Sequence, residues 1–322
     1  NATVEELRYE SFIIHNRQLN SRMSLESTLI VETSEIYQSG DVSRTRDFDF
    51  IRPKVDYRFD ITPSLQFRAT VEKEVSQLSF NDFTANTNSS DDDQNSIAGN
   101  PDLRQEQSWR YDLNLAYRFN EDNGVISSNI YYHGLEDVID RVDVSTATKI
   151  QSANGNIGDG ERYGLSLNGS LRMSLIDQPG MLLTAALDLG SSTGTEPFLG
   201  IERRLSRQSR GSYNLGFRHD MSTRNINYGF TYRNGIRDNN RVYDIDRIES
   251  YNSSAFSILF LEYQGIEGMT IRFESTNPHE STRCRERSRY TGGTIATGVL
   301  SEIEDSCSHN GEKYAIKVRG TF

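Results

Sequence analysis

Arginine is the residue type in this sequence best suited to a specific chemical task. Arg283, Arg285, Arg287 and Arg289 fall at every second position of STRCRERSRY, and Arg203, Arg204, Arg207 and Arg210 cluster in an earlier polar interval. An extended backbone places alternate side chains on one face, so the first set would line that face with guanidinium groups. Guanidinium forks bind carboxylate and phosphate bidentately. Arg203, Arg207, Arg210, Arg283, Arg285, Arg287 and Arg289 are therefore candidates for holding an anionic ligand. The competing reading pairs them with carboxylates of their own chain, Glu280 and Glu286 among them.

Other chemistries find less support. His15, His133, His219, His279 and His309 show no paired ligand spacing, and Cys284 and Cys307 lack CxxC partners, so no metal site is expected. His219 and Asp220 could form half of a catalytic dyad, but they sit at a short turn with no nucleophile nearby. No GxSxG, P-loop or GxGxxG motif occurs, and neither a catalytic residue nor a cofactor is expected. The run Asp91, Asp92, Asp93 reads as a solvated loop face, with calcium binding as its alternative. The two cysteines share one polar segment, which suits a single loop disulfide in an oxidising compartment, with a pair of free thiols as the alternative. A formal charge of -11 argues against a nucleic-acid partner, which needs a basic surface.

The elements that must position these residues are strands. In WRYDLNLAYRF, Trp109, Tyr111, Leu113, Leu115, Tyr117 and Phe119 alternate with Arg110, Asp112, Asn114 and Arg118, giving one apolar and one polar face. The same period of two recurs from about residues 7–14 to the C-terminus, thirteen times in all, and almost nothing reads as helix. With 35% hydrophobic and 25% charged residues and a mean hydropathy of -0.65, no segment supplies the roughly 20 apolar residues of a transmembrane helix. A transmembrane barrel needs only alternating strands of about 10 residues and averages out polar.

Connections alternate in length. LNSR, DITPS, NEDNG, SLIDQPG, DMSTR and QGIEG are short, whereas long polar segments lie around residues 34–47, 80–107, 137–161, 190–211, 233–250 and 275–312. Short turns on one side and long loops on the other are the pattern of an outer-membrane barrel, with extracellular loops. Aromatics at strand ends fit interfacial girdles, and YAIKVRGTF carries the alternation to Phe322. NATVEELRYE has neither the basic nor the apolar region of a signal peptide. Thirteen strands is an odd number, whereas bacterial single-chain barrels have even ones. The reading is a single all-β domain, residues 1–322: the C-terminal portion of a larger antiparallel up-and-down barrel.

GNPDLRQEQSW followed by an alternating strand resembles the barrel of TonB-dependent outer-membrane receptors, in which an NPxLxPExS-type sequence marks a long extracellular loop re-entering the membrane. Asn100, Pro101, Leu103, Glu106 and Ser108 match, and Gln105 stands where proline is commoner. RPKVDYRFDITPSLQFRATVEKEVSQLSFNDF, YYHGLEDVIDRV and GNIGDGERYGLSL extend the resemblance in order. It implies about 13 strands of a 22-stranded barrel, with the missing strands, the plug domain and its TonB box lying outside this sequence. The implied function is active uptake of a scarce nutrient such as a ferric siderophore, with TonB, outer-membrane lipid and lipopolysaccharide as further partners. A passive porin-like or surface-structural barrel is the alternative.

Overall fold

The computed structural model describes residues 3–39, 43–83, 86–87, 96–119, 123–236, 240–279 and 281–320. Asp91 to Asp93, Glu280 and Phe322 lie outside them. In chain order the strands are β1 (Thr3–Asn20), β2 (Met23–Ser39), β3 (Arg44–Asp60), β4 (Leu65–Val75), β5 (Asn86–Thr87), β6 (Ser96–Ile97) and β7 (Gln107–Arg118). There follow β8 (Gly124–Glu136), β9 (Ile139–Asp143), β10 (Ser152–Asn156), β11 (Gly160–Met173), β12 (Gln178–Glu196), β13 (Ile201–Arg203) and β14 (Gly211–Met221). The last are β15 (Ile226–Gly235), β16 (Asn240–Asp244), β17 (Arg247–Ser253), β18 (Phe256–Ile266), β19 (Met269–Thr276), β20 (Ser281–Thr291), β21 (Val299–Asn310) and β22 (Lys313–Gly320).

One large antiparallel sheet dominates, ordered β1-β2-β3-β4-β7-β8-β11-β12-β14-β15-β18-β19-β22, with β13 paired beside β12. Each of the thirteen strands on this path pairs with its neighbour in the path, so the fold is the expected up-and-down wall. The reason is visible in β7: Tyr111, Leu113, Leu115 and Tyr117 stand exposed on one face, while Asp112 and Asn114 are half-buried on the other. Tyr111, Tyr132 and Tyr163 lie at one height on adjacent strands, and Tyr117, Tyr228 and Tyr263 mark the opposite end of the apolar band, as two interfacial girdles require.

The polar face is bound together by its own charges. Glu32, fully buried, accepts from Arg52 at 2.7 Å and lies 3.0 Å from the Arg8 guanidinium; Arg52 also reaches Glu10. On the far side of the sheet Arg218 and Arg272 flank Glu262, at 3.3 and 2.9 Å, and Arg272 lies 4.2 Å from the centre of the Phe260 ring. Two of the short turns share a solution: the 3-10 turns Ser174–Ile176 and Ser222–Arg224 are closed by Asp177 and Asn225 at φ 57° and 54°. Asp and Asn tolerate that left-handed conformation better than most residues.

The long segments differ from the sequence reading. Most of the stretch around 34–47 is strand, since β2 runs to Ser39 and β3 begins at Arg44. The segments at 233–250 and 275–312 fold into a four-stranded sheet, β16-β17-β20-β21. The physical reason is that these strands rise above the membrane, where both faces are wetted or covered by polar groups. The period-two hydrophobic signal that betrays a membrane strand is then lost.

If this sheet spans a bilayer as its exposed apolar rows require, nitroxides at Tyr111, Leu113, Leu115 and Tyr117 in reconstituted protein will be relaxed by lipid-soluble oxygen. Labels at Asp112 and Asn114 will respond to a water-soluble quencher; the reverse pattern rejects the assignment of faces. Leu113→Arg, near mid-membrane, is expected to cost about 2–4 kcal/mol, measured by reversible unfolding in lipid.

Candidate functional site

Two assemblies form above the membrane band. The first is built on the NPDL segment. Asn100 makes a local turn, its side-chain oxygen accepting from the Asp102 amide at 3.0 Å, while its side-chain nitrogen donates to the Asn154 carbonyl at 2.9 Å. Such Asx turns are why Asn serves at this position. Asn156 holds the next stretch in both directions, accepting from the Arg104 amide and donating to the Arg104 and Asp137 carbonyls. Leu103 is completely buried, and the guanidinium of Arg46 donates to the carbonyls of Pro101 and Leu103 while lying 4.7 Å from the Phe48 ring centre. Glu106 accepts from the Ile139 amide at 3.2 Å. Burial pushes its carboxyl above the ordinary 4.5, opposed by that amide and by Arg162.

The second assembly is a lattice of guanidinium and carboxylate groups. Cross-strand register sets Arg283, Arg285, Arg287 and Arg289 opposite Ser253, Tyr251, Glu249 and Arg247 on one side, and Arg285, Arg287 and Arg289 opposite Ser306, Glu304 and Glu302 on the other. Arg287 is buried, 1% exposed, with Glu249 at 2.7 Å and Glu304 at 3.5 Å. Arg285 donates to Glu304 at 2.6 Å and Arg289 lies 3.4 Å from it. These contacts, the Arg285 hydrogen bond first, hold the Glu304 carboxyl below 4.5. Arg247 extends the chain to Asp244 at 2.7 Å, and Asp244 lies 3.9 Å from Arg141.

Arg203 joins the same network from β13. It pairs with Asp140 at 2.9 Å, both nearly buried, and its guanidinium covers the Tyr243 ring at 4.6 Å. Arg207 stands exposed at φ 61°, and Arg210, also exposed, uses its carbonyl to accept from the Gly190 amide. Arg283 is exposed and lies 5.8 Å from the Tyr251 ring centre. Cys284 and Cys307 are directly opposite in the β20–β21 register and form a disulfide, with Cα atoms 4.0 Å apart.

Arg203, Arg285, Arg287 and Arg289 are thus brought into one charge network, while Arg207 and Arg283 face solvent. Sequence reasoning passed over Asp140, Arg141, Tyr243, Asp244, Arg247 and Glu249. The alternation of Arg247, Glu249 and Tyr251 was an available signal, a strand with one charged row. His219 and Asp220 do not form a dyad: His219 meets the Tyr228 hydroxyl at 3.0 Å, and Asp220 accepts from Arg218. Among the described residues no cluster of His, Cys, Asp and Glu is arranged to hold a metal ion.

Residues 17–195, more than half of the chain, match the family model described as TonB dependent receptor-like, beta-barrel. The fold is similar to that of the copper transporter OprC, at a TM-score of 0.71 and 13% identity over 99% of this chain and 48% of that one. It is also similar to the ferric yersiniabactin uptake receptor FyuA from Yersinia pestis (0.64, 14% identity, 100% and 46%) and the ferric-catecholate import receptor Fiu from K12 E. coli (0.64, 10%, 100% and 45%). The chain therefore spans about half the length of these solved structures. No curated protein matches it in sequence.

Two outcomes follow from this geometry. Because the folded state raises the Glu106 pKa, its ionised form opposes folding, and the stability lost as pH rises through the raised value is recovered below about 4.5. Glu106→Gln should therefore raise the thermal midpoint at pH 7 and have a smaller effect at pH 4; an equal effect at both pH values counts against burial as the cause. For the disulfide, Cys284→Ser with Cys307→Ser should cost up to about 3 kcal/mol of local order by a chain-entropy estimate. The expected readout is faster proteolysis confined to residues 281–310, and unchanged cleavage there contradicts a clamping role.

Proposed function

The chain belongs to the TonB-dependent receptor β-barrel family, an outer-membrane family of transport receptors rather than enzymes, and from that premise we propose that it is the C-terminal portion of an uptake receptor for a ferric siderophore. The observation that carries the proposal is the open sheet of thirteen alternating strands. With an odd count, the two edge strands β1 and β22 point the same way across the membrane. Antiparallel closure then requires an odd number of further strands, and closed barrels alone satisfy every backbone group in lipid. Relatives about twice as long supply room for those strands and for a plug. The polar inner face suits a wetted plug, and TonB would act through that plug.

Anion recognition would fall to the exposed Arg207 and Arg283, with the paired set acting as the frame that fixes them. Lipopolysaccharide phosphates are a second class of anion that these side chains would meet. Several of the similar structures are receptors for iron or a ferric siderophore and one is a copper transporter, which supports scarce-metal uptake as the class.

The full-length receptor, expressed in a siderophore-deficient strain, should take up a labelled ferric siderophore only with TonB and an intact proton-motive force. Uptake that persists without TonB supports a passive channel instead. Arg207→Ala with Arg283→Ala should lower apparent affinity about tenfold, or about 1.4 kcal/mol, and unchanged affinity removes both from recognition.

A further inference from the structure

The four-stranded sheet above the membrane is the upward continuation of the last four barrel strands. Between the β19–β22 pairing and the β20–β21 pairing, Thr276 faces Lys313 and Ser281 faces Asn310, so five steps along one strand answer to three along the other. Between β15–β18 and β16–β17, Arg233 faces Phe256 and Asn240 faces Tyr251, seven steps against five. Between β18–β19 and β17–β20, Ile258 faces Thr276 and Ser253 faces Arg283, again five against seven. All three pairings slip by the same two residues. The break is stitched by Asn277, whose amide donates to the Ser257 carbonyl at 2.7 Å while its side-chain oxygen accepts from the Ser257 amide at 3.1 Å. Ser254 and Thr282 pair just above it.

It follows that β21 and β22 are one tall strand, interrupted only by Gly311 and Glu312. β20 and β19 cover one edge of it, and among the described residues no strand pairs with the other edge. Both parts are exposed: in β21 Ile303 is 65% exposed on the face that also carries Asp305 and Cys307, Val299 is 73% exposed on the other face beyond the register shift at Arg289 and Tyr290, and in β22 Ile316 is 73% exposed. A strand of twelve residues whose alternate amides and carbonyls face an open side is a template for strand addition.

We propose that the open edge of β21 is covered by the extracellular continuation of the strand that closes the barrel against β22, supplied by polypeptide preceding residue 1. The inference rests on the reading of this chain as part of a larger barrel. A strand pairing antiparallel with β22 travels upward, and the β22 edge leads it directly onto the β21 edge. The seam of the barrel would then extend beyond the membrane, locking the disulfide-bonded hairpin to the first strand of the receptor.

Hydrogen exchange at single-amide resolution on monomeric full-length receptor in nanodiscs tests this. In β21 alone, alternate amides point away from β20. If the proposal holds, these exchange at least a hundredfold more slowly than unstructured controls, matching the amides paired with β20. Slow exchange in 313–320 with fast alternate amides in 299–310 overturns the proposal and leaves the larger-barrel reading standing. Fast alternate amides in both segments overturn that reading as well. Slow β21 amides that become fast when the receptor is diluted, or that need a second protein, also reject the intramolecular strand.

Discussion

Every feature of this wall depends on one constraint: in lipid a backbone amide or carbonyl has no water to turn to, so each must find a partner on a neighbouring strand. That requirement explains the unbroken up-and-down order, because a strand crossing the membrane is paired most cheaply by its own hairpin neighbour. It also explains the long ladders, such as the one between β1 and β2 that runs from Thr3 opposite Ser39 down to Asn20 opposite Met23. Side chains are then left to distinguish the two faces, apolar outside and ion-paired inside. The buried Glu32 between Arg8 and Arg52 is what a polar inner face costs where water is scarce: a charge can sit there only when others neutralise it.

The same constraint decides what was legible in the sequence. Strands such as β7 and β11 were plain because only one of their faces meets lipid, and Leu165 and Leu167 therefore alternate with Gly164, Ser166 and Asn168. Above the membrane the distinction fades. β16 and β21 have polar groups on both faces, and the hydrophobic pattern gives no reason to prefer a strand over a loop there. The four arginines of β20 were legible as one face of an extended segment, but their partners were not. Glu249 and Glu304 come from other strands, and which carboxylate meets which guanidinium is set by register, a property of the pairing rather than of either segment alone.

The NPDL segment shows how a short motif can be structural and still govern function. Asn100, Arg104 and Glu106 hydrogen-bond to the 137–156 region, so the loop above β7 is fastened to the loop above β8. A small apolar cluster of Leu135, Val138 and Leu205 lies between that region and the arginine-bearing loop at 197–210. Arg203 then reaches from this loop to Asp140 and Tyr243, which ties the tall β16–β21 wall to the rest of the rim. Among the described residues the rim is therefore connected from the NPDL segment through Arg203 to the arginines of β20.

This connection bears on how such a rim can meet an anion. A guanidinium already paired with a carboxylate projects little field into solvent, and extracting a buried one such as Arg287 would break its pairings with both Glu249 and Glu304. Under the proposed anion recognition, paired arginines would fix geometry and attraction would fall to those at the exposed margin, where Arg207 is held at φ 61° and Arg283 rests beside Tyr251. At such wetted positions each charge-assisted contact contributes modestly and is screened by salt. Tight capture would accordingly need several exposed groups placed at once, and a rigid, ion-paired and disulfide-clipped wall would place them.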